Sequence, residues 1–331
     1  MKMILIVVLI SIVVLLVGFI VLIKVADKIL AVKLEYYNKV KPDKEIESIY
    51  TGIGIYEVKS VVYDSSEESY EKYKVWYPVE LESSNYTYPI VVMANGTGVP
   101  YRKYEAVFEH LASWGFIVIG NDDMESWRGT SSSKSLELLI DLNAKKDSIF
   151  YQKIDEEHIG VAGHSQGGVA AINAVTNFDN SELFTSIYTA SCTQLPLAEA
   201  LKWSYDVSKV RIPYFMVAGT GSADADTITP LSSLEENMAQ LDKDILAVSA
   251  RRIGKDHGQM LTYADGYMTA WFRYTLIGDE KAAEVFVGEN PEILDNQENW
   301  SDVSIVKGRL SKEFKKGKFD DNFWSDVTLF S

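Results

Sequence analysis

The chain has 331 residues, 47% hydrophobic and 12% aromatic, enough to bury the core of a domain of about 250 residues and too apolar for a disordered chain. A formal net charge of −15 repels phosphate backbones and anionic headgroups, so nucleic acid is not an expected partner. The single cysteine, Cys192, excludes an intrachain disulfide and a thiolate metal cluster; the four histidines lack HxxxH or HxH spacing, and no metal or organic cofactor is expected.

From Met3 to Ile23 only Ser11 and Gly18 interrupt an apolar run. As a helix that run would measure about 31 Å, the thickness of a bilayer's hydrocarbon core. A cleaved signal peptide would have an apolar core of roughly 7 to 15 residues and then a small-x-small site. Residues 1–25 therefore read as an uncleaved single-pass anchor. Lys24, Lys28 and Lys33 outnumber Lys2 and the amino terminus, which by charge count keeps the following domain in the cytoplasm. The very short segment before the span suits export instead, and the domain is expected to be extracytoplasmic.

Residues 26–44 alternate charged and apolar side chains up to Pro42 and read as a juxtamembrane helix and linker. The globular domain is expected over 45–290. "GIYEVKSVVYD" and "YEKYKVWYPV" have the β-branched and aromatic content of two antiparallel strands. "YPIVVMANGTG" is a continuous apolar run ending in glycines, which suits a strand buried on both faces. Tyr104, Val107, Phe108, Leu111 and Trp114 share one helix face, and Gly115 stands where a left-handed residue ends that helix.

Beyond it "FIVIGND" reads as a strand, "SLELLIDLNAKKDSIF" as a helix, "HIGVAG" as a strand and "GGVAAINAV" as a helix. Strands are also expected at "TSIYTAS", "PYFMVAGT" and "ILAVSARRI", with "GYMTAWFRYTLI" as a closing helix. This alternation implies an α/β fold, a mostly parallel central sheet with helices on both faces. Residues 291–331, polar and basic at "KGRLSKEFKKGKF", read as a C-terminal extension, a solvated tail or surface hairpin.

"IGVAGHSQGG" contains a GxSxG pattern at Gly163, Ser165 and Gly167. Such spacing arises by chance in about one chain in ten of this length. Its context is more specific: an apolar strand before it and a helix of small residues after it, the strand-turn-helix in which a strained serine projects from a sheet edge. The competing reading is a buried turn serine whose glycines only permit close packing. A serine hydroxyl requires a base. His110 lies mid-helix, His158 precedes the strand at the sheet's opposite end, and His164 should point away from its neighbour's hydroxyl. His257, in the loop after the last strand, remains.

The carboxylate that orients it should follow "PYFMVAGT". Asp226, four residues before Pro230, is the choice there, with Asp224, nearer the strand end, as the alternative. An acyl-transfer site also needs donors for the oxyanion. The backbone N–H of Gln166 and that of Thr97, in the turn Asn95-Gly96-Thr97-Gly98, are assigned. Trp203 is read either as core or as part of an acyl pocket.

These blocks in this order resemble the α/β-hydrolases, over about Val75 to Leu276. Within them the chain is most similar to the lidless branch of cutinase-like polyesterases, dienelactone-hydrolase-like proteins and chlorophyllase-like esterases. The resemblance implies a serine hydrolase of carboxylic esters with Ser165, Asp226 and His257 as triad and Gln166 and Thr97 as oxyanion donors. The chain departs from secreted polyesterases of this kind in lacking an aromatic residue at Thr97 and a C-terminal disulfide. The expected substrate is a small-molecule or lipid-like ester. Peptide or thioester cleavage and acyl transfer remain open, because fold and triad do not fix the leaving group; a noncatalytic tethered protein is the remaining alternative.

Overall fold

The apolar runs assemble side by side into one sheet because each is flanked by a helix that carries the chain back to the same starting edge. The computed structural model describes residues 31–311. In chain order the first elements are α1 (Glu35–Lys39), α2 (Glu45–Thr51), β1 (Val58–Asp64), β2 (Lys72–Pro78), β3 (Tyr88–Ala94), α3 (Glu105–Ser113), β4 (Ile117–Asn121), α4 (Thr130–Ala144), β5 (Ile154–His164) and α5 (Gln166–Ala174). There follow β6 (Ser186–Ala190), α6 (Leu195–Ala200), β7 (Tyr214–Gly219), α7 (Leu231–Gln240), β8 (Ala247–Arg252), α8 (Asp265–Phe272), α9 (Glu280–Ala283), α10 (Glu292–Asp295) and β9 (Trp300–Val306).

The strand order is β1-β2-β4-β3-β5-β6-β7-β8-β9. β3 to β8 run parallel; β2 and β9 run opposite to them, and β1 at the edge pairs antiparallel with β2. This is the mostly parallel sheet expected, covered on both faces. Successive residues of β3 alternate between faces: Val91 and Met93 join the core under α3 and α8, and Ile90 and Val92 the core under α4 and α5. Gly115 ends α3 with φ +96°, as its position predicts.

Two boundaries differ from the sequence reading. The region taken as a linker, residues 26–44, is built into the domain from Val32 onward: Val32 and Tyr37 are buried, and the Tyr37 ring stacks on His110 with centroids 4.0 Å apart. Tyr37 is a core residue and Tyr36 packs against the same core, although the surrounding lysines and glutamates gave the segment the look of a solvated one. The region taken as an extension, residues 291–331, supplies α10 and β9, so the domain runs to Val306. β9 escaped the period-2 pattern because its pairing with β8 shifts register opposite Ser249–Arg251, where Asp302 takes φ +53°. The extra residue puts Trp300, Val303 and Ile305 on the same core despite their odd spacing.

Among the described residues no helix is long and apolar enough to cross a membrane. The span expected at Met3–Ile23, the basic part of the C-terminal segment beyond Ser311 and the start of the linker at 26–30 lie outside those residues. Trp300 is 1% exposed and stacks on Tyr267 at 5.3 Å, so Trp300→Ala should destabilise the fold by about 3–5 kcal/mol in denaturant unfolding. A loss below about 1 kcal/mol would show that β9 is peripheral.

Candidate active site

β5 ends at His164 and α5 begins at Gln166, leaving Ser165 alone in the turn with φ 60° and ψ −123°. That backbone conformation costs on the order of 1–3 kcal/mol for a residue with a side chain and persists only where its surroundings fix it. Packing on both sides does so here. A Cβ on Gly163 would lie 1.9 Å from the Gly167 carbonyl oxygen, and one on Gly167 would lie 2.2 Å from that of Ala94. On the far side, a Cβ on Gly168 would meet Cys192 at 2.7 Å. The glycines thus let β3, β5 and α5 close on one another, and Ser165 is the residue left projecting.

His257 approaches from the loop after β8. Its Nε2 stands 2.9 Å from Ser165 Oγ, and its Nδ1 stands 2.8 Å from Asp224 Oδ1. The carboxylate that meets the imidazole is therefore Asp224, not Asp226. The chain after β7 winds into a wide helical turn over Asp224–Ile228, and residues two apart on such a turn lie on nearly opposite sides. Asp224 faces inward with 0% exposure, whereas Asp226 is exposed to solvent.

The buried carboxylate is well supplied with donors. Asp224 Oδ2 accepts from Ser191 Oγ at 2.5 Å and from the Gly219 N–H at 2.7 Å, which leaves Oδ1 for the imidazole. Asp256, beside the histidine, joins the two loops. Its carboxylate accepts from the backbone N–H groups of His257 (2.8 Å), Asp224 (3.1 Å) and Ala223 (3.3 Å). Those donors hold its carboxyl below the usual carboxylate range. The Gln259 side chain accepts from the Asp256 N–H at 3.0 Å and completes a capping box. The Asp-x-x-Gln spacing was a readable signal for this.

His164 does point away from the serine hydroxyl, and it has a structural role of its own. Its Nε2 lies 2.8 Å from the His257 carbonyl oxygen, and the two rings sit 4.7 Å apart. Burial and the neighbouring His257 push the His164 imidazole down to about 4, so at neutral pH it is an uncharged donor to that carbonyl. His110 is a buried residue of α3, 2.8 Å from the Gly52 carbonyl oxygen, and His158 pairs with Asp155 at 2.9 Å. Trp203 is half-buried against the core under α5.

Gln166 opens α5, so its N–H has no acceptor within the helix. Thr97 occupies the second position of a tight turn closed by the Val99 N–H on the Gly96 carbonyl at 3.1 Å. Gly96 packs closely on the elbow: a Cβ there would lie 3.3 Å from the His164 carbonyl oxygen. Gly98 takes φ +65° and donates its N–H to the Met124 carbonyl at 3.2 Å. The turn hangs from Asn95, whose fully buried amide donates to the carbonyls of Asn121 (2.8 Å) and Asp123 (2.7 Å) and accepts from the Tyr104 hydroxyl at 2.5 Å. A buried asparagine closing the apolar run "VVMAN" was the signal for that anchor.

A nucleophile-sized hydroxyl, an imidazole and a buried carboxylate thus stand in one hydrogen-bonded line, with a helix N-terminus beside them. No curated protein matches the chain. Residues 35–304 match the profile of the PET hydrolase-like family, and with most of its length covered the chain belongs to that family.

Proposed function

We propose that the protein is a membrane-anchored serine hydrolase of carboxylic esters that works through an acyl-enzyme on Ser165. The observation that carries this reading is the line from Ser165 Oγ through His257 to Asp224, with both links under 3 Å. Family membership supports an ester as the substrate.

In this reading His257 takes the Ser165 proton as the hydroxyl attacks the ester carbonyl, then returns it to the leaving alcohol. Asp224 holds the imidazole with Nε2 toward the serine and stabilises the charge it acquires. The N–H groups of Gln166 and Thr97 receive the oxyanion of the tetrahedral intermediate. Water then attacks the acyl-enzyme by the same route, releasing the acid and restoring the hydroxyl. About twenty residues join β6 to β7, too few for a lid domain, and the side chain of His257 is 21% exposed, which supports access by extended or bulky esters. The apolar run Met3–Ile23 supports anchoring, with the catalytic domain outside the cytoplasm.

Ser165→Ala should lower turnover of a p-nitrophenyl acyl ester by on the order of 10⁴ to 10⁶ with the fold intact. Retention of most activity would sink the assignment. Asp224→Asn should cost on the order of 10⁴ in kcat, while Asp226→Asn should leave kcat within about twofold of the parent. The reverse order of effects would restore Asp226 as the acid. For the anchor, the full chain should stay with the membrane fraction after alkaline carbonate washing; release into the wash would contradict it.

A further inference from the structure

The loop that carries His257 spans residues 253–264, between the end of β8 and the start of α8. On the sheet side it is held by His164 and Asp256, as described above. Its two ends are held by something else: the segment from Val32 to Thr51.

At the first end, Arg252 is the last residue of β8 and is 6% exposed. Its guanidinium meets Glu47 of α2 with Nη1 and Oε1 3.1 Å apart. Glu47 is itself buried, and its carboxylate also accepts from Trp300 Nε1 at 3.2 Å and Asn296 Nδ2 at 2.7 Å. The Glu292 carboxylate fixes α2 in place by accepting from the N–H groups of Ile46 (2.8 Å) and Glu47 (2.9 Å).

At the other end, Asp265 is the first residue of α8 and is 2% exposed. The Tyr37 hydroxyl of α1 hydrogen-bonds to its carboxyl. Burial raises the Asp265 acid well above the usual carboxylate range. The Tyr37 ring is clamped against His110, and the neighbouring Tyr36 meets Tyr263 of the loop edge-on at 5.4 Å. Asp265 also lines a small pocket, open to solvent in part, whose wall continues through Met260 and Leu261 to His164 and Gly96. Asp265 and the histidine loop therefore border the same space.

We infer that residues 32–51 form a strap whose two buried ties, Glu47 to Arg252 and Tyr37 to Asp265, fix the ends of the 253–264 loop and so position His257 between Ser165 and Asp224. This deepens the esterase reading and rests on it. Tyr37 and Glu47 are positioning residues: neither touches the reacting atoms. The strap begins a few residues after the apolar N-terminal run ends at Ile23, so the segment between the domain and its expected anchor is also part of the frame of the active site.

The strap supplies its own control. Tyr50 of α2 donates to Asp279 Oδ2 at 2.8 Å, a buried tie of the same kind that ends beyond α8 and away from the loop. The test compares Tyr37→Phe, Glu47→Gln and Tyr50→Phe in the full-length chain in detergent, by ester kinetics and by amide hydrogen exchange.

Tyr37→Phe keeps the ring stack and loses only the tie; it and Glu47→Gln should lower kcat on the order of tenfold, with KM changed less than about twofold. Exchange at residues 253–264 should accelerate in both, and exchange at α5 should not. Tyr50→Phe should lower the melting temperature and leave kcat and the loop's exchange at parental values. Unchanged exchange at 253–264 in both strap variants, or kcat losses matched by Tyr50→Phe, would overturn the inference. The exchange measurement needs no substrate, so it remains decisive if the parent shows no Ser165-dependent hydrolysis, an outcome that would instead refute the esterase reading.

Discussion

A carboxylate with no exposed surface determines where the imidazole of His257 stands. Removing such a group from water costs several kcal/mol, and the cost is offset only if donors surround it in good geometry. Asp224 has three: Ser191 Oγ, the Gly219 N–H and His257 Nδ1. Each comes from a different part of the chain, the ends of β6 and β7 and the loop after β8. The ring nitrogen opposite the carboxylate then has one direction to face, toward Ser165. Asp256 draws the acid loop and the histidine loop together through backbone N–H groups, so the two cannot drift apart independently.

The serine is placed by sterics together with a backbone bond from its own N–H to the Ala190 carbonyl at 3.0 Å. Strands β3 and β5 and helix α5 come together at backbone contact, which only glycine at 163 and 167 permits, and Ser165 takes the strain that results. The sheet therefore carries information from sequence to site: its parallel order brings the ends of β3, β5, β6, β7 and β8 to one edge, and the loops that leave that edge carry Thr97, Ser165, Ser191, Asp224 and His257. A rigid sheet with a rigid elbow needs the histidine loop fixed to comparable accuracy, and the buried contacts of Glu47 and Tyr37 with the loop's two ends have that geometry.

The elbow was legible in the sequence because it rests on local chemistry: glycines at fixed spacing between an apolar run and a helix of small residues. The central strands were legible for the same reason, since burial on both faces leaves an unbroken apolar run. Asp224 was weighed there but placed behind Asp226, because both are aspartates in one polar loop. Only the helical turn that the loop forms separates the inward residue from the exposed one. β9 was missed because a bulge at Asp302 shifts the apolar positions out of alternation. The first part of the strap, up to residue 44, was read as a linker because its charged residues dominate any local average, whereas its buried Tyr37 finds its partners, His110 and Asp265, more than 50 residues away in the chain. Long-range polar pairing leaves no periodic trace.

The account stands on Ser165 Oγ being the atom that attacks the ester carbonyl, with an oxyanion received at the mouth of α5. A structure of the protein after reaction with a fluorophosphonate addresses that directly, because the phosphonyl group imitates the tetrahedral intermediate. The phosphorus should be bonded to Ser165 Oγ and its free oxygen should lie about 2.7–3.1 Å from the N–H groups of Gln166 and Thr97. An adduct on another residue, or a phosphonyl oxygen turned to solvent away from both amides, would contradict it.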